Sequence, residues 1–300
     1  MRERNALLFA VGLACSAAGC SNDRIVVGSK NFTEQTVLAE LVAQQIERRT
    51  DLRVERRFFL GGTFVCHRAI TADEIDVYVE YTGTALAAIL EESPLQNPAA
   101  VFTAVRNAYA ERFQLTWLEP LGFNNTFAIL VRGEDAQRLG LETISDIANV
   151  APGWRAGFGY EFMEREDGFN GLVQTYGLAF AEPPRTMDLG LTYRALADGQ
   201  VDLIAGNSTD GLIAALDLVQ LKDDRSYFPP YQAAPIVRNA VLSRRPEVGE
   251  AIGELAGTLS DDEMRRLNYL VDVEHRDVVA VVREWLDRNI PTPRSGGAQP

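Results

Sequence analysis

The sequence is poor in the side chains that most often do covalent or metal chemistry. Three cysteines and two histidines occur in 300 residues. His67 and His275 stand in no metal-ligand spacing. There is no glycine-rich phosphate loop and no Gly-x-Ser-x-Gly elbow, which removes the commonest nucleotide-binding and serine-hydrolase signatures. No cofactor or metal is therefore expected. No apolar run is long enough to span a bilayer, and no repeat of 20 to 50 residues suggests a solenoid. Basic residues are also in short supply, 29 against 42 acidic, for a formal net charge of −13. That balance argues against nucleic acid and against a basic membrane-binding face, and slightly favours a cationic or zwitterionic ligand.

The amino terminus reads as a targeting segment. Arg2 and Arg4 precede a mostly apolar stretch from Asn5 to Cys15, and small residues Ser16 to Gly19 lead into Cys20. Ala-Ala-Gly-Cys resembles the lipobox of bacterial lipoproteins, with Ala17 where leucine is usual. The resemblance implies cleavage after residue 19, lipidation of Cys20 and an extracytoplasmic, membrane-anchored product. The competing reading is an ordinary secretory signal cut near Ala18. With Cys15 removed and Cys20 lipidated, Cys66 is the one remaining thiol, so no intrachain disulfide is expected. Cys66 beside His67 reads as helix packing rather than as a nucleophile or metal site.

Downstream, strand and helix signals alternate. Ile25 to Gly28 is a first strand. Asn31 or Thr33 is expected to cap a helix running to Arg49, with Glu34 in capping-box spacing. Leu52 to Leu60 is a second strand, Thr63 an expected cap for a helix to Thr71, and Ile75 to Val79 a third strand. This rhythm predicts an α/β fold with a parallel or mixed sheet. Helices are expected over Thr84–Glu91 and Ala99–Phe113. A second region repeats the pattern, with strands at Thr126–Val131, Arg155–Phe158, Arg185–Asp188 and Val201–Ala205 and a single helix over Glu161–Tyr176. Val237 to Leu242 is expected as a strand, followed by three helices ending near Arg288. The tail from Pro291 is rich in proline, glycine and serine and is expected to be disordered. Two lobes joined by crossings near Asn125 and Pro230 would form a hinged cleft. Lobe one is expected over 20–125 and 232–290, and lobe two over 126–231.

Ligands of open α/β sheets bind beyond the carboxyl ends of the strands. Lys30, Tyr81 with Thr84, and Asn207 all follow predicted strands. Lys30 precedes a helix N-terminus, where an anion is favoured; a solvated surface lysine is equally compatible. Tyr81 heads a glycine turn or is a core tyrosine. Arg165 could clamp a carboxylate, although pairing with Glu164 or Asp167 is what the local sequence by itself favours. Tyr231, after Pro229-Pro230, is a cleft aromatic or plain hinge packing.

Several segments in order carry a more specific signal: GSKNFTEQ from Gly28, LGGT from Leu60, EIDVYVEYTGT from Glu74, FNNTFA from Phe123, EFMEREDG from Glu161, STDG from Ser208 and FPPYQAAPIVR from Phe228. From about Arg24 to Ile290 the chain resembles the substrate-binding proteins of osmoprotectant ABC importers, which take up glycine betaine, choline, carnitine and related quaternary amines. The resemblance implies a two-lobed periplasmic-binding-protein fold of type II-like architecture with a hinged interlobe cleft. It implies that Lys30, Thr84 and Arg165 bind a carboxylate, and that Tyr81, Phe127 and Tyr231 enclose a quaternary ammonium group. Phe127 stands where tyrosine is usual, and Asn207 where a further cage tyrosine is common. A quaternary ammonium has no N–H to donate, so ring faces are its suitable partners. The missing ring at Asn207 implies weaker binding or a different small zwitterion. The implied partners are an ABC permease with its ATPase, the protein itself acting as a monomer. Two further classes are compatible with the sequence: a ligand sensor with the same fold, and an extracytoplasmic hydrolase using Asp76 or Glu80.

Overall fold

The structure, a computed structural model, describes residues 24–93 and 95–291. The leader, Cys20 and the tail beyond Pro291 lie outside the described residues. Two five-stranded mixed sheets form the framework. The first contains β1 (Arg24–Lys30), β2 (Arg53–Gly61), β3 (Val77–Tyr81) and β4 (Leu115–Trp117). The second contains β5 (Phe127–Arg132), β6 (Ala156–Phe158), β7 (Arg185–Thr186), β8 (Leu203–Asn207) and β9 (Leu218–Gln220). The chain then returns to the first sheet as β10 (Ala233–Arg238).

The strand orders are β2-β1-β3-β10-β4 and β7-β6-β8-β5-β9, one pattern used twice. In each sheet the first three strands run parallel, and the strand arriving from the other sheet pairs antiparallel beside them. The inner strands β1, β3 and β10 are buried nearly throughout, as expected where helices cover both faces. The two crossings lie side by side: Asn124 and Gln232 form an antiparallel bridge, and the Asn125 amide donates to the Tyr231 carbonyl at 3.1 Å.

Helix α1 (Thr33–Arg49) buries Val37, Leu38, Leu41, Val42 and Ile46, the face expected from its periodicity. Its start differs from expectation. Phe32 occupies the cap position without a side-chain cap bond. The Thr33 hydroxyl instead donates to Asp272 at 2.5 Å, and Glu34 turns inward. Helix α2 (Thr63–Thr71) is preceded by Gly62 at the cap position, so Thr63 is its first residue rather than its cap.

Three further expectations are corrected. The helix expected from Thr84 is a turn at Thr82–Thr84 followed by a π-helix over Ala85–Ile89. The single helix over Glu161–Tyr176 is two, Tyr160–Glu164 and Phe169–Tyr176, with Arg165 extended between them. The strand expected from Val237 lies earlier, as β10, and Asn239–Arg244 is the first of four closing helices.

Candidate ligand-binding cleft

The parallel strands β1 and β3 end at Lys30 and Tyr81, side by side on one edge of the first sheet. In the second sheet β8 ends at Asn207, and β6 leads directly into the helix carrying Glu161. These edges border a cleft of about 320 Å³. All seven ligand residues singled out from the sequence line it: Lys30, Tyr81 and Thr84 from the first sheet's side, Phe127, Arg165 and Asn207 from the second, and Tyr231 from a crossing.

Both cations are already partnered. The Lys30 ammonium is buried and donates to Glu80 Oε1 at 2.5 Å and to Thr63 Oγ1 at 2.9 Å, with the Tyr81 ring 5.1 Å away. Burial pushes the Glu80 carboxyl above its usual range, and the Lys30 charge pulls against that. Lys30 is thus neither a solvated surface lysine nor an unpaired cation.

Arg165 is 5% exposed. Its Nε and Nη2 donate to the two carboxylate oxygens of Asp167 at 2.8 and 2.5 Å, and Nη1 donates to Thr84 Oγ1 at 3.1 Å. Burial works against its charge, but Asp167 more than offsets this and the pKa is raised. The guanidinium carbon lies 4.9 Å from the Phe127 ring and 5.9 Å from that of Tyr231. Pairing with Asp167, one of the partners the local sequence allowed, therefore coexists with a place in the cleft. The helix break makes this possible. A side chain held in helical geometry could not turn back onto a carboxylate two residues later.

The aromatic walls are held by their neighbours. The Tyr81 hydroxyl donates to Glu34 Oε1 at 2.6 Å, and its ring lies near-parallel to Phe32 at 6.5 Å. The Tyr231 hydroxyl donates to Asp167 Oδ2 at 2.6 Å. Phe127 packs edge-on against Phe162 at 4.9 Å and Tyr231 at 5.8 Å. Both tyrosine hydroxyls are therefore consumed by the protein, which fixes ring orientation and leaves ring surface for a ligand. Asn207 sits directly opposite Phe127 across the β5–β8 ladder.

Sequence reasoning missed the residues that set this geometry. Glu34, assigned above to a capping box, is buried and accepts from Tyr81, Asn125, Thr209 and Asn268. Burial raises its pKa, and these donors act in the opposite sense. It ties α1, a crossing and the loop after β8 together. Asp167 was visible only as a helix-face partner. Glu161 was noted only within a motif. No local signal marks the roles of Glu34 and Glu161, whose partners are distant in sequence, whereas the pairing of Asp167 with Arg165 was open to local reading and its bond to Tyr231 was not.

The residues considered for other chemistry have structural partners. Cys66 is fully buried in the core beneath β1 and β3, and burial pushes its thiol up to about 12. His67 packs edge-on against Tyr109 and Phe113. Asp76, the residue before β3, accepts from the Val26 amide and from Arg238 at 2.9 and 3.0 Å, tying β1 to β10.

Residues 23–288 match the model of the OpuAC family, the substrate-binding domain of ABC-type glycine betaine transport systems. The chain belongs to this family. It is 34% identical over 302 residues to the carnitine transport binding protein OpuCC of Listeria monocytogenes, covering 96% of this chain and 98% of that one. It is 35% identical over 297 residues to a glycine-betaine-binding protein of Pseudomonas aeruginosa, covering 94% of each. The crystal structure of a glycine betaine/carnitine/choline ABC transporter superposes with a TM-score of 0.74 at 33% identity, over 88% of this chain and 98% of that one. The OpuAC family consists of solute-binding proteins rather than enzymes, and substrate-binding proteins of ABC importers work outside the cytoplasm. The chain is thus a substrate-binding protein of glycine betaine/carnitine-type ABC transport.

Proposed function

We propose that this protein captures a quaternary amine such as glycine betaine, choline or carnitine between two lobes and delivers it to an ABC permease. The lobes are taken as 20–125 with 232–290, and 126–231. Tyr81, Phe127 and Tyr231 present ring faces to the ammonium group, each contributing about 0.5–2 kcal/mol according to its desolvation. Thr84 and Arg165 hold the carboxylate of a zwitterionic ligand. Of the five guanidinium donors, three are engaged by Asp167 and Thr84, which leaves two for the ligand. Lys30, neutralised by Glu80, adds less positive field than its sequence position implies. In this reading the mature protein is a monomer held at the membrane by lipid on Cys20.

The observation that carries the proposal is the convergence of three ring walls and two buried cations on one cleft between the sheets. Calorimetry of the mature, unlipidated protein against glycine betaine, choline, carnitine, proline betaine and ergothioneine tests it. Saturable binding of at least one quaternary amine is expected. Absence of heat with all five would refute the ligand class.

A further inference from the structure

Glu161 is the first acidic residue of the helix Tyr160–Glu164, on the side of the second sheet, yet its carboxylate serves the opposite half of the molecule. Oε1 accepts from the backbone amide of Thr63, and Oε2 bonds the Thr63 hydroxyl at 3.1 Å. Thr63 opens α2, whose cap position is a glycine with no side chain to offer. The amide at the helix N-terminus is therefore satisfied from across the cleft, where the helix dipole favours a carboxylate. The same Thr63 hydroxyl accepts from Lys30, so the contact continues into the buried Lys30–Glu80 pair.

Gly62 is shaped for this arrangement. Its backbone, at φ −77° and ψ −170°, suits any residue. A Cβ there would nevertheless lie 2.0 Å from Glu161 Oε1, and the three nearest atoms it would meet all belong to Glu161. The obstacle is the end of the Glu161 side chain rather than backbone, so an alanine here would be accommodated by displacing the carboxylate. The neighbours on both sides, Phe64 and Tyr160, are 44% and 56% exposed, which places the contact at the rim of the cleft, away from the buried crossings.

We infer that Glu161 is a latch: its carboxylate on the N-terminus of α2 holds the two lobes together over the cleft. It acts as a positioning residue, on closure rather than on the ligand. The inference rests on the reading of the cleft as a ligand site closed between lobes. Bonds to a charged acceptor are stronger than neutral ones, but both partners regain water when the lobes part, so the net effect on the closed population is roughly tenfold.

Three variants test it: Glu161→Ala, Glu161→Gln and Gly62→Ala. Calorimetry gives Kd for choline and for glycine betaine, and small-angle X-ray scattering gives the radius of gyration with and without choline. Glu161→Ala is expected to weaken both compounds about tenfold and by the same factor, and Glu161→Gln to weaken them less. Gly62→Ala keeps the carboxylate but blocks its seat, and should reproduce Glu161→Ala. Unchanged Kd in both alanine variants overturns the latch. So does a loss confined to one compound, which would mean that Glu161 touches the ligand. If the unsubstituted protein binds neither compound, the ligand reading fails separately. Scattering without added amine then decides: a larger radius in Glu161→Ala than in the unsubstituted protein supports the latch, and equal radii overturn it.

Discussion

Replacing Arg165 by alanine removes two bonds to Asp167 and one to Thr84, and uncovers Phe127 and Tyr231. Asp167 would remain buried with only the Tyr231 hydroxyl among these partners, a costly arrangement. We therefore expect Arg165→Ala to weaken glycine betaine strongly, by a hundredfold or so, and choline by several-fold through disturbed walls. Calorimetry with both ligands checks this, and equal losses would assign Arg165 a purely structural role. Asn207 gives the complementary test. It stands opposite Phe127 in the β5–β8 ladder, so a tyrosine there would share the cleft face with that ring. Asn207→Tyr should tighten glycine betaine about twofold to thirtyfold. An unchanged or larger Kd would mean that the asparagine serves the ligand directly. The seven residues singled out from the sequence, through strand ends and ordered motifs, all line the cleft. Of their internal partners only Asp167, two residues from Arg165, was open to local reading; Glu80 and Glu34 act through folded proximity.

At the scale of elements, the break between Tyr160–Glu164 and Phe169–Tyr176 depends on Gly168. A Cβ there would lie 2.0 Å from the Phe162 carbonyl oxygen and 3.0 Å from that of Arg165. Both obstacles are backbone, so the turn must open to accept a side chain. Gly168→Ala is expected to cost about 1–3 kcal/mol in stability and to weaken glycine betaine through displaced Arg165. Urea denaturation and calorimetry measure the two effects, and wild-type values for both would refute this account of the break. Hydrophobic period identified α1, α2 and most strands to within a few residues. It failed at this break because Phe162, Phe169 and Leu172 keep a helical apolar spacing straight through Arg165. It failed at the start of α2 because that cap arrives from residue 161.

For the molecule as a whole, the acidic groups around the loop after β8 give a signed pH response. Burial raises the Asp210 carboxyl to about 6. The Leu212 amide and Tyr193 hydroxyl act against this, while Asp272 and Glu34 act with it. Between the ordinary carboxylate range near 4 and about 6, the folded protein holds a proton at Asp210 that the unfolded chain releases. Its stabilising contribution is complete below that window and is lost as pH rises through it. Asp210→Asn should flatten that part of the profile, read as urea midpoints at half-unit steps from pH 4 to 7. Superimposable slopes for the two proteins would remove Asp210 as the cause.

The return of the chain to its first sheet also orders how that chain can mature. Strand β10 fills the place between β3 and β4, so the first sheet has a gap beside its central strand until residue 238 is available. The second sheet draws all five of its strands from 127–220. A polypeptide threaded amino end first across a membrane would thus have all strands of its second sheet in hand before those of its first, with β3 and β4 waiting unpaired on facing edges in the interval.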